Sequence, residues 1–225
     1  MSGLRVALDG PGSSGKSTVG AEAATHLGYR FLDTGVLYRA LTWLSVRHDI
    51  APDDHVRLVG LVPSLELAPD ELGRLRRIRI GGVDITAELH APDVDRLVSV
   101  VSRQPEVRTA LLQLQRVLAA DGGIILAGRD IGTVVLPDAE LKLYLDVSLD
   151  ERARRRAADR DLEPGSPEAL AILEDLRRRD HLDSSRAVAP LRVPEDAVVV
   201  HSDGRELEGT VSEVVRIIRE REAAA

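Results

Sequence analysis

The residues best suited to chemistry lie in one short stretch near the N-terminus. The spacing G-x-x-x-x-G-K-S, typical of a loop that binds phosphate groups, occurs in Gly10-Pro11-Gly12-Ser13-Ser14-Gly15-Lys16-Ser17. Glycines allow successive backbone N–H groups to converge on an anion, and a helix starting near Lys16 adds the positive end of its dipole. The Lys16 ammonium can contact outer phosphates, and the Ser17 hydroxyl can ligate Mg²⁺. The alternative is a Gly-Ser turn before an ordinary helix.

Strands and helices alternate around this loop. Apolar runs predict buried strands at 4–8, 29–32, 124–127, 141–146 and 197–200. Between these runs apolar residues recur at helical spacing, for example at Val19, Ala23 and Leu27 directly after the loop. The alternation predicts an α/β fold with a five-stranded parallel sheet, flanking helices and right-handed crossovers.

Ligand-binding side chains in such a fold gather at the carboxyl ends of the strands. Thr34, Tyr38 and Arg39 follow the second predicted strand, where a second substrate can lie. Gly128-Arg129-Asp130 follows the third. Taken alone, Arg39 fits an ordinary charge on a helix surface equally well.

From about Pro52 to Gln104 the pattern changes. Alternating residues at 77–80 and 83–85 flank Gly81-Gly82, which predicts a β-hairpin, and residues 94–101 show helical spacing. A hairpin inside an α/β chain indicates an inserted lobe. We therefore predict a core of residues 1–51 and 105–225, with the lobe at 52–104.

Two charged helices are predicted between the fourth and fifth strands. The first, Asp150 to Arg160, is rich in arginine, and Gly165-Ser166-Pro167 separates it from a second helix that runs to about Asp180. Their apolar faces are weak, so little buried area would hold them in place, and we predict a mobile lid over about 150–190. The alternative is that these arginines form a solvated surface.

Composition limits the classes of protein to which the chain can belong. Its 225 residues suit one domain with inserts, and a net charge of −7 argues against non-specific binding to nucleic acid. The chain has no cysteine, and its histidines lack metal-ligand spacing. No apolar stretch approaches the ~20 residues of a membrane span, and the first strand leaves no room for a signal peptide. We expect a cytoplasmic protein without a membrane partner and, lacking an apolar stripe for dimerisation, a monomer.

Phosphate-binding loops occur in nucleotide switches, motors and kinases. The chain contains no asparagine, which excludes the Asn-Lys-x-Asp motif by which GTPases read guanine, and motor ATPases are usually larger. A short chain with an inserted lobe and an arginine-rich lid favours a small kinase that closes over two substrates and excludes water. The alternatives are a kinase of another small molecule, and a nucleotide-sensing switch without a second substrate.

Further motifs extend over nearly the whole chain. They are Asp9-Gly10-Pro11 with the loop after it, Asp33-Thr34-Gly35-x-x-Tyr38-Arg39, Gly81-x-x-x-Ile85 with the helix after it, Pro105-x-x-Arg108, Gly128-Arg129-Asp130-x-Gly132-Thr133-Val134-Val135-x-Pro137-Asp138, and Arg179-Asp180-x-x-Asp183-x-x-Arg186-Ala187-Val188-Ala189-Pro190-Leu191. Together they resemble the bacterial cytidylate kinases, the CMP kinase branch of the nucleoside monophosphate kinases. The resemblance implies a P-loop NTPase fold with 52–104 as a monophosphate-binding insert. It also implies ATP-dependent phosphorylation of CMP and dCMP, with Mg²⁺.

The resemblance assigns a role to each matching residue. The ATP phosphates would be held by residues Gly10 to Thr18, and Mg²⁺ by Ser17. The acceptor phosphate would be surrounded by Thr34, Arg39, Arg129 and Arg186. The cytosine base would be read by Ser99, Arg108 and Asp130, and the ribose held by Arg179 and Asp183. The catalytic set would be Lys16, Arg129, Asp130 and Arg186.

The cytosine assignment also has a chemical basis. Cytosine presents an amino donor at N4 and acceptors at N3 and O2, so an aspartate can accept from the amine while an arginine and a serine donate. Uracil inverts two of these positions, and such a mismatch rejects a substrate by on the order of 10³-fold. Two alternatives stay open: Asp130 as a carboxylate beside magnesium, and Arg179 with Asp183 as a simple i,i+4 ion pair.

Three stretches depart from the family's usual pattern. Gly12 and Ser13 stand in the reverse of the usual order, and Leu182 replaces a basic residue of the lid. After the fifth strand, His201-Ser202-Asp203-Gly204 replaces the usual Asp-Ser or Asp-Thr, near the expected adenine pocket.

Overall fold

The five predicted apolar runs form one sheet in the computed structural model, which describes residues 3–71 and 74–224. The strands are β1 Arg5–Asp9, β2 Arg30–Asp33, β6 Ile124–Gly128, β7 Leu141–Asp146 and β8 Val198–His201, in the spatial order β2-β6-β1-β7-β8. Every neighbouring pair is parallel, which confirms the predicted five-stranded parallel sheet. The first, second and fifth strands begin and end one residue later than predicted.

Helices connect these strands in the predicted alternation. Their bounds are α1 Lys16–Leu27, α2 Gly35–Arg47, α3 His55–Leu61, α4 Pro92–Val101, α5 Pro105–Ala119, α6 Leu149–Ala158, α7 Pro167–Ser185 and α8 Leu207–Ala223. Successive residues of β1 pack on opposite faces of the sheet, since Val6 and Leu8 lie with α1 and α8 whereas Ala7 lies with α5. No helix in 3–71 or 74–224 has the length and apolarity required to cross a bilayer.

The segment between α2 and α5 forms a second, antiparallel sheet. Its strands are β3 Glu66–Pro69, β4 Leu75–Ile80 and β5 Val83–Asp84. Gly81 and Gly82 connect β4 to β5 with φ of 56° and 79°, which confirms the predicted hairpin with a two-residue glycine turn. Ile85 does not continue β5 as predicted, because its backbone, with ψ 12°, leads into the 3₁₀ turn Thr86–His90, although its N–H still donates to the Ile78 carbonyl oxygen at 2.9 Å. The short elements α3 and β3 were not predicted, since neither contains a full apolar repeat.

This segment shares its apolar core with the neighbouring helices. Ile78, Leu89 and Val98 pack in one buried cluster with Leu41 of α2 and Leu111 of α5. Burial against α2 and α5 therefore fixes where α4 lies. Of the ranges predicted for core and lobe, residues 1, 2, 72, 73 and 225 lie outside the described chain.

Helices α6 and α7 form the predicted arginine-rich pair. The pair is less polar than predicted on its inner side, where Ala153, Ala157, Ile172 and Leu176 form a small buried cluster. Helix α7 continues to Ser185 instead of ending near Asp180. The additional turn carries Asp183 and places Arg186 directly after the helix.

Candidate active site

Residues 10–15 connect β1 to α1 in a tight loop. Gly15 has φ 84° and Ser13 has φ 58°, so the backbone enters the left-handed region twice. A Cβ at Gly10 would lie 2.7 Å from the Leu145 carbonyl oxygen, so only glycine fits beside β7. Helix α1 starts at Lys16 with neither a side-chain cap nor an acidic residue in its first turn, which leaves its first amides available to an anion.

The predicted loop residues divide into two groups. Those that line the main cavity are Ser13, Gly15, Lys16, Ser17 and Thr18. The others are buried and shape the loop from behind; they are Gly10, Pro11, Gly12 and Ser14. A Cβ at Gly12 would lie 3.2 Å from an Nη atom of Arg129, so this glycine makes room for that guanidinium.

Lys16 folds back over the loop. Its Nζ donates a hydrogen bond to the Pro11 carbonyl oxygen at 3.0 Å. Burial, and to a smaller extent the charge of Arg129, lowers the pKa of Lys16 to about 7. A phosphate group beside this ammonium would supply negative charge and favour its protonated form.

The Ser17 hydroxyl donates a hydrogen bond to the Asp33 carboxylate at the carboxyl end of β2. Asp33 also accepts from the Gly35 N–H at 2.9 Å, and it lines the main cavity. Sequence reasoning had not included Asp33 among the candidate metal ligands, although its position at the end of an apolar run could have indicated it. A hydroxyl and a carboxylate side by side suit Mg²⁺, which takes oxygen ligands and completes its shell with water and substrate phosphates.

Asp9 connects β1 to the end of β6. Its buried carboxylate accepts hydrogen bonds from the backbone N–H groups of Ile131 and Gly132, both at 2.7 Å. These residues open a π-helical turn, Ile131–Val135, that directly follows Asp130. Burial raises the pKa of Asp9 to about 6, although the two hydrogen bonds favour the ionised form. Asp9 thus fixes the turn that orients Asp130, a role that sequence reasoning had not assigned.

Arg108 and Asp130 are paired in the cavity. Arg108 donates to Asp130 Oδ2 at 2.5 Å and to the Ser102 carbonyl oxygen at 3.0 Å, and its guanidinium lies 5.4 Å from the Tyr38 ring centre. Both members of the pair are buried. Ser99 lines the same cavity, so the structure brings together the three residues predicted to read the base. Tyr38, which the sequence placed where a second substrate could lie, supplies an aromatic face beside them.

Asp183 pairs with Arg129 and Arg186, and not with Arg179 as the sequence-based alternative supposed. Arg129 donates to its carboxylate at 2.8 Å, and an Nη atom of Arg186 lies 3.9 Å from its other oxygen. The interpretation of Arg179 and Asp183 as a simple i,i+4 ion pair is therefore wrong. The extended α7 carries Asp183 toward the guanidinium that follows β6.

Two buried guanidiniums keep unsatisfied N–H groups. Arg179 makes no hydrogen bond or ion pair within the described chain, and burial together with the nearby charges of Arg129 and Arg39 lowers its pKa. Arg186 has one buried Nη without a hydrogen-bond partner among the described residues. Buried unsatisfied guanidiniums indicate a site for an anion.

Thr34 and Arg39 stand at the start of α2. The Thr34 hydroxyl donates to the Ala127 carbonyl oxygen at 3.0 Å, and Thr34 lines the cavity. Arg39 donates to the Leu89 carbonyl oxygen at 2.9 Å and to Asp95 at 2.7 Å, and its side chain is 14% exposed. The interpretation of Arg39 as an ordinary surface charge is therefore wrong.

Arginines of α6, in the predicted lid, contact the core. Arg152 donates to the Gly12 carbonyl oxygen at 2.9 Å and forms a two-point pair with Asp180. Arg156 donates to the Ser13 hydroxyl at 3.2 Å, and Arg155 donates to the Ser202 carbonyl oxygen at 2.6 Å. These arginines do not form a solvated surface, whereas Arg154, at 67% exposure, does.

A cavity of about 890 Å³ joins the exposed side of the loop, the Arg108–Asp130 pair and the guanidiniums of Arg39, Arg129, Arg179 and Arg186. Eleven lysine or arginine side chains and seven carboxylates of the described chain line it, although the protein as a whole carries a charge of −7. This local excess of positive charge favours anionic ligands. The divergent stretch after β8 also reaches the cavity, through Ser202, Gly204 and Arg205.

Comparisons with known proteins agree with this geometry. The family profile described as "Cytidylate kinase" matches residues 6–220. The chain is 40% identical over 221 residues to the cytidylate kinase of Geobacillus sp. (strain WCH70), covering 97% of each protein. It is 45% identical over 217 residues to the bifunctional pantoate ligase/cytidylate kinase of Prochlorococcus marinus (strain MIT 9303). That alignment covers 95% of this chain and 44% of the bifunctional protein.

Among solved structures, an uncharacterised protein from Eubacterium ventriosum ATCC 27560 aligns with a TM-score of 0.52 and 10% identity. The alignment covers 96% of this chain and 98% of that one, and it supports the fold alone. The family profile and the full-length relative confirm the resemblance seen in the motifs. The chain belongs to the cytidylate kinase family.

Proposed function

We propose that the protein transfers the γ-phosphoryl group of ATP to CMP and dCMP, forming ADP with CDP or dCDP. The observation that carries this proposal is one cavity that contains both the phosphate loop and the buried Arg108–Asp130 pair. A nucleotide switch needs only the loop, whereas a second polar pocket beside it serves an acceptor. Membership of the family supports a cytidine nucleotide as that acceptor.

The donor phosphates bind at the loop. The first amides of α1 and the Lys16 ammonium meet the phosphate oxygens, and residues Gly10 to Thr18 form the backbone cradle. Ser17 and Asp33 offer the oxygen ligands for Mg²⁺, which when bound offsets charge on the outer phosphates.

The acceptor lies on the opposite side of the cavity. Its phosphate is held by Thr34, Arg39, Arg129 and Arg186, and its ribose by Arg179 and Asp183. Asp130 accepts from the N4 amine of cytosine, while Arg108 and Ser99 donate to N3 and O2. Because Arg108 and Asp130 already hold each other, the base meets a donor and an acceptor whose positions are set in advance.

The transfer depends on alignment and charge. The acceptor attacks through a phosphate oxygen that is already deprotonated, so the chain needs no general base. Arg129 reaches the Gly10 carbonyl oxygen at 3.3 Å as well as Asp183, which places its charge between the two phosphate sites. With Lys16 and Arg186 it offsets the charge that develops on the transferred group, and the closed lid keeps water out.

A coupled assay of ADP formation with CMP, dCMP, UMP and AMP in parallel tests the proposal. We expect kcat/KM for CMP to exceed that for UMP by on the order of 10³-fold, with dCMP close to CMP. Tight ATP binding without ADP formation from any monophosphate would favour a switch instead. Because one chain supplies all the groups above, we also propose a monomer, which light scattering tests. A cytoplasmic location remains part of the proposal.

A further inference from the structure

The carboxylate of Asp95 lines the cavity but has no part in the proposed function. Asp95, on α4, accepts from Arg39 through one oxygen at 2.7 Å and from Arg156 through the other at 3.4 Å. Arg39 belongs to α2 and Arg156 to α6. A single aspartate of the inserted segment therefore contacts both the core and the lid.

On the core side, Asp95 holds one nitrogen of the Arg39 guanidinium in place. The same Arg39 nitrogen donates to Asp95 and to the Leu89 carbonyl oxygen, so two acceptors of the inserted segment hold it. The other N–H groups of Arg39 have no partner in 3–71 or 74–224, and Arg39 lines the cavity. Asp95 thus positions Arg39 while leaving its remaining donors for a phosphate.

On the lid side, Asp95 extends this contact to the donor loop. Arg156 donates to Asp95 with one Nη and to the Ser13 hydroxyl with the other, at 3.2 Å. Ser13 has a left-handed φ of 58°, a conformation that costs energy in residues other than glycine. A glycine would avoid this cost but would lack the hydroxyl that Arg156 contacts. The series Ser13, Arg156, Asp95 and Arg39 runs from the donor loop to a residue of the acceptor site.

Charge explains why a carboxylate is needed at this point. Arg39, Arg156 and Arg179 all lie close enough to Asp95 to act on its pKa. Burial raises that pKa, but the guanidiniums, Arg39 foremost, hold it below its ordinary value, so Asp95 is ionised at neutral pH. Without this charge, three guanidiniums would repel one another where α2, α6 and α7 meet.

We propose that Asp95 is a positioning residue that couples closure of the lid to occupation of the acceptor site. An acceptor that binds Arg39 of α2 and Ser99 of α4 holds α4 against the core, and α4 then presents Asp95 to Arg156. The lid closes against the donor loop when this contact forms. The inference rests on the proposed function, because it requires two substrates in one cavity.

The variant Asp95→Asn tests the coupling. It keeps the side-chain volume but turns one acceptor oxygen into an NH₂ donor that opposes a guanidinium. Asp93→Asn is the matched control, because it removes the same charge from the first turn of the same helix, where Asp93 accepts, among the described residues, only from the backbone N–H of Val94. Calorimetry would measure the Kd for CMP with and without a non-hydrolysable ATP analogue.

We expect the analogue to tighten CMP binding about tenfold in the wild type and in Asp93→Asn. In Asp95→Asn this gain should fall to about twofold or less, and CMP alone should also bind more weakly, because Arg39 loses the charge that positions it. In a double-mutant cycle, Asp95→Asn with Arg156→Gln should lose no more coupling than either variant alone.

Full coupling in Asp95→Asn would overturn the inference even if its melting temperature falls, because a structural role alone would explain that fall. Additive losses in the cycle would also overturn it, since Asp95 would then not act through Arg156. A wild type that forms no ADP from CMP counts against the proposed function. A wild type that is active, with Asp95→Asn indistinguishable from it, counts against this inference alone.

Discussion

Arg108 donates a hydrogen bond to Asp130 at 2.5 Å, so the two groups proposed to read opposite atoms of one base also hold each other. Asp130 lies 3.6 Å from Arg186 as well, and its charge therefore offsets two buried guanidiniums. The same carboxylate therefore contacts the arginine proposed to read the base and the arginine proposed to bind the acceptor phosphate. In the proposed complex, specificity and phosphate binding are linked through it.

Replacing Asp130 by asparagine should reduce the preference for CMP over UMP. An amide can turn its NH₂ toward the O4 of uracil, which the carboxylate cannot do. We expect the CMP:UMP ratio of kcat/KM to fall on the order of 10²-fold or more. Asparagine is chosen over alanine because Asp130→Ala removes the counter-charge of two buried arginines, at a cost of ~3–5 kcal/mol in stability.

Steady-state kinetics with both nucleotides measures this ratio. Asp183→Asn serves as the control, because it removes a carboxylate paired with Arg129 in the same cavity and should lower both rates without changing their ratio. An unchanged ratio in Asp130→Asn would show that other groups discriminate the base.

The sheet was predictable because its strands are continuous apolar runs, which a sheet covered on both faces requires. The phosphate loop was predictable because its chemistry needs particular residue types at a fixed spacing. Asp9 and Asp33 were harder, since each acts through a partner distant in sequence, Gly132 or Ser17, that local patterns do not identify. The pairing of Asp183 with Arg129 was equally hard to predict, because Arg179, four residues before Asp183 on the same helix, is a nearer partner in sequence.

Asp9 should make stability depend on pH. Burial raises its pKa from 3.8 to about 6 in the folded chain. Because the folded-state pKa is raised, the stability from this group is fully present below about pH 4 and is lost as pH rises through 6. Between pH 4 and pH 7 we expect the wild type to lose roughly 2–3 kcal/mol relative to Asp9→Asn.

Urea unfolding of both proteins across this range measures the difference. The asparagine NH₂ meets one of the two backbone N–H groups, but that cost does not vary with pH and cancels when the two curves are compared. Parallel curves would mean that Asp9 has an ordinary pKa.

Gly12→Ala should impair catalysis by moving Arg129. The new Cβ would lie 3.2 Å from a guanidinium nitrogen, which is tighter than ordinary contact, and Leu176 lies on the same side at 4.0 Å. A misplacement of about 1 Å costs up to ~100-fold in rate, so we expect kcat to fall ~10- to 100-fold.

Gly60→Ala is the matched control for that substitution. Gly60 lies inside α3, and outside that helix's own backbone no atom in the described part of the chain lies within 4 Å of the new Cβ. Alanine should therefore raise stability by ~0.5–1 kcal/mol and leave kcat unchanged. Rate measurements and thermal unfolding of both variants separate the two effects. A Gly12→Ala enzyme with wild-type kcat would show that the position of Arg129 is not critical.

Asp33→Asn should weaken the proposed Mg²⁺ site. The amide oxygen carries no full charge, so we expect the Mg²⁺ concentration for half-maximal rate to rise about tenfold or more. Electron paramagnetic resonance of Mn²⁺, added with a non-hydrolysable ATP analogue, would report binding independently of turnover. Equal Mn²⁺ affinity in wild type and variant would remove Asp33 from the site.

Lys16 should matter far more than any histidine, because the transfer needs a cation at the donor phosphates and no proton acceptor. We expect Lys16→Ala to lower kcat/KM by on the order of 10²- to 10³-fold. Lys16→Arg should not restore it, since a planar guanidinium does not fit where a compact ammonium lies against the Pro11 carbonyl.

His90 lines the cavity, and burial, with the charge of Arg39, lowers its pKa, so it is neutral near pH 7. His90→Gln should change kcat by less than about threefold, because a neutral imidazole has no proton to remove from a phosphate oxygen that is already charged. A rate profile that follows one imidazole and disappears in His90→Gln would place a general base in the mechanism and contradict a transfer driven by position and charge.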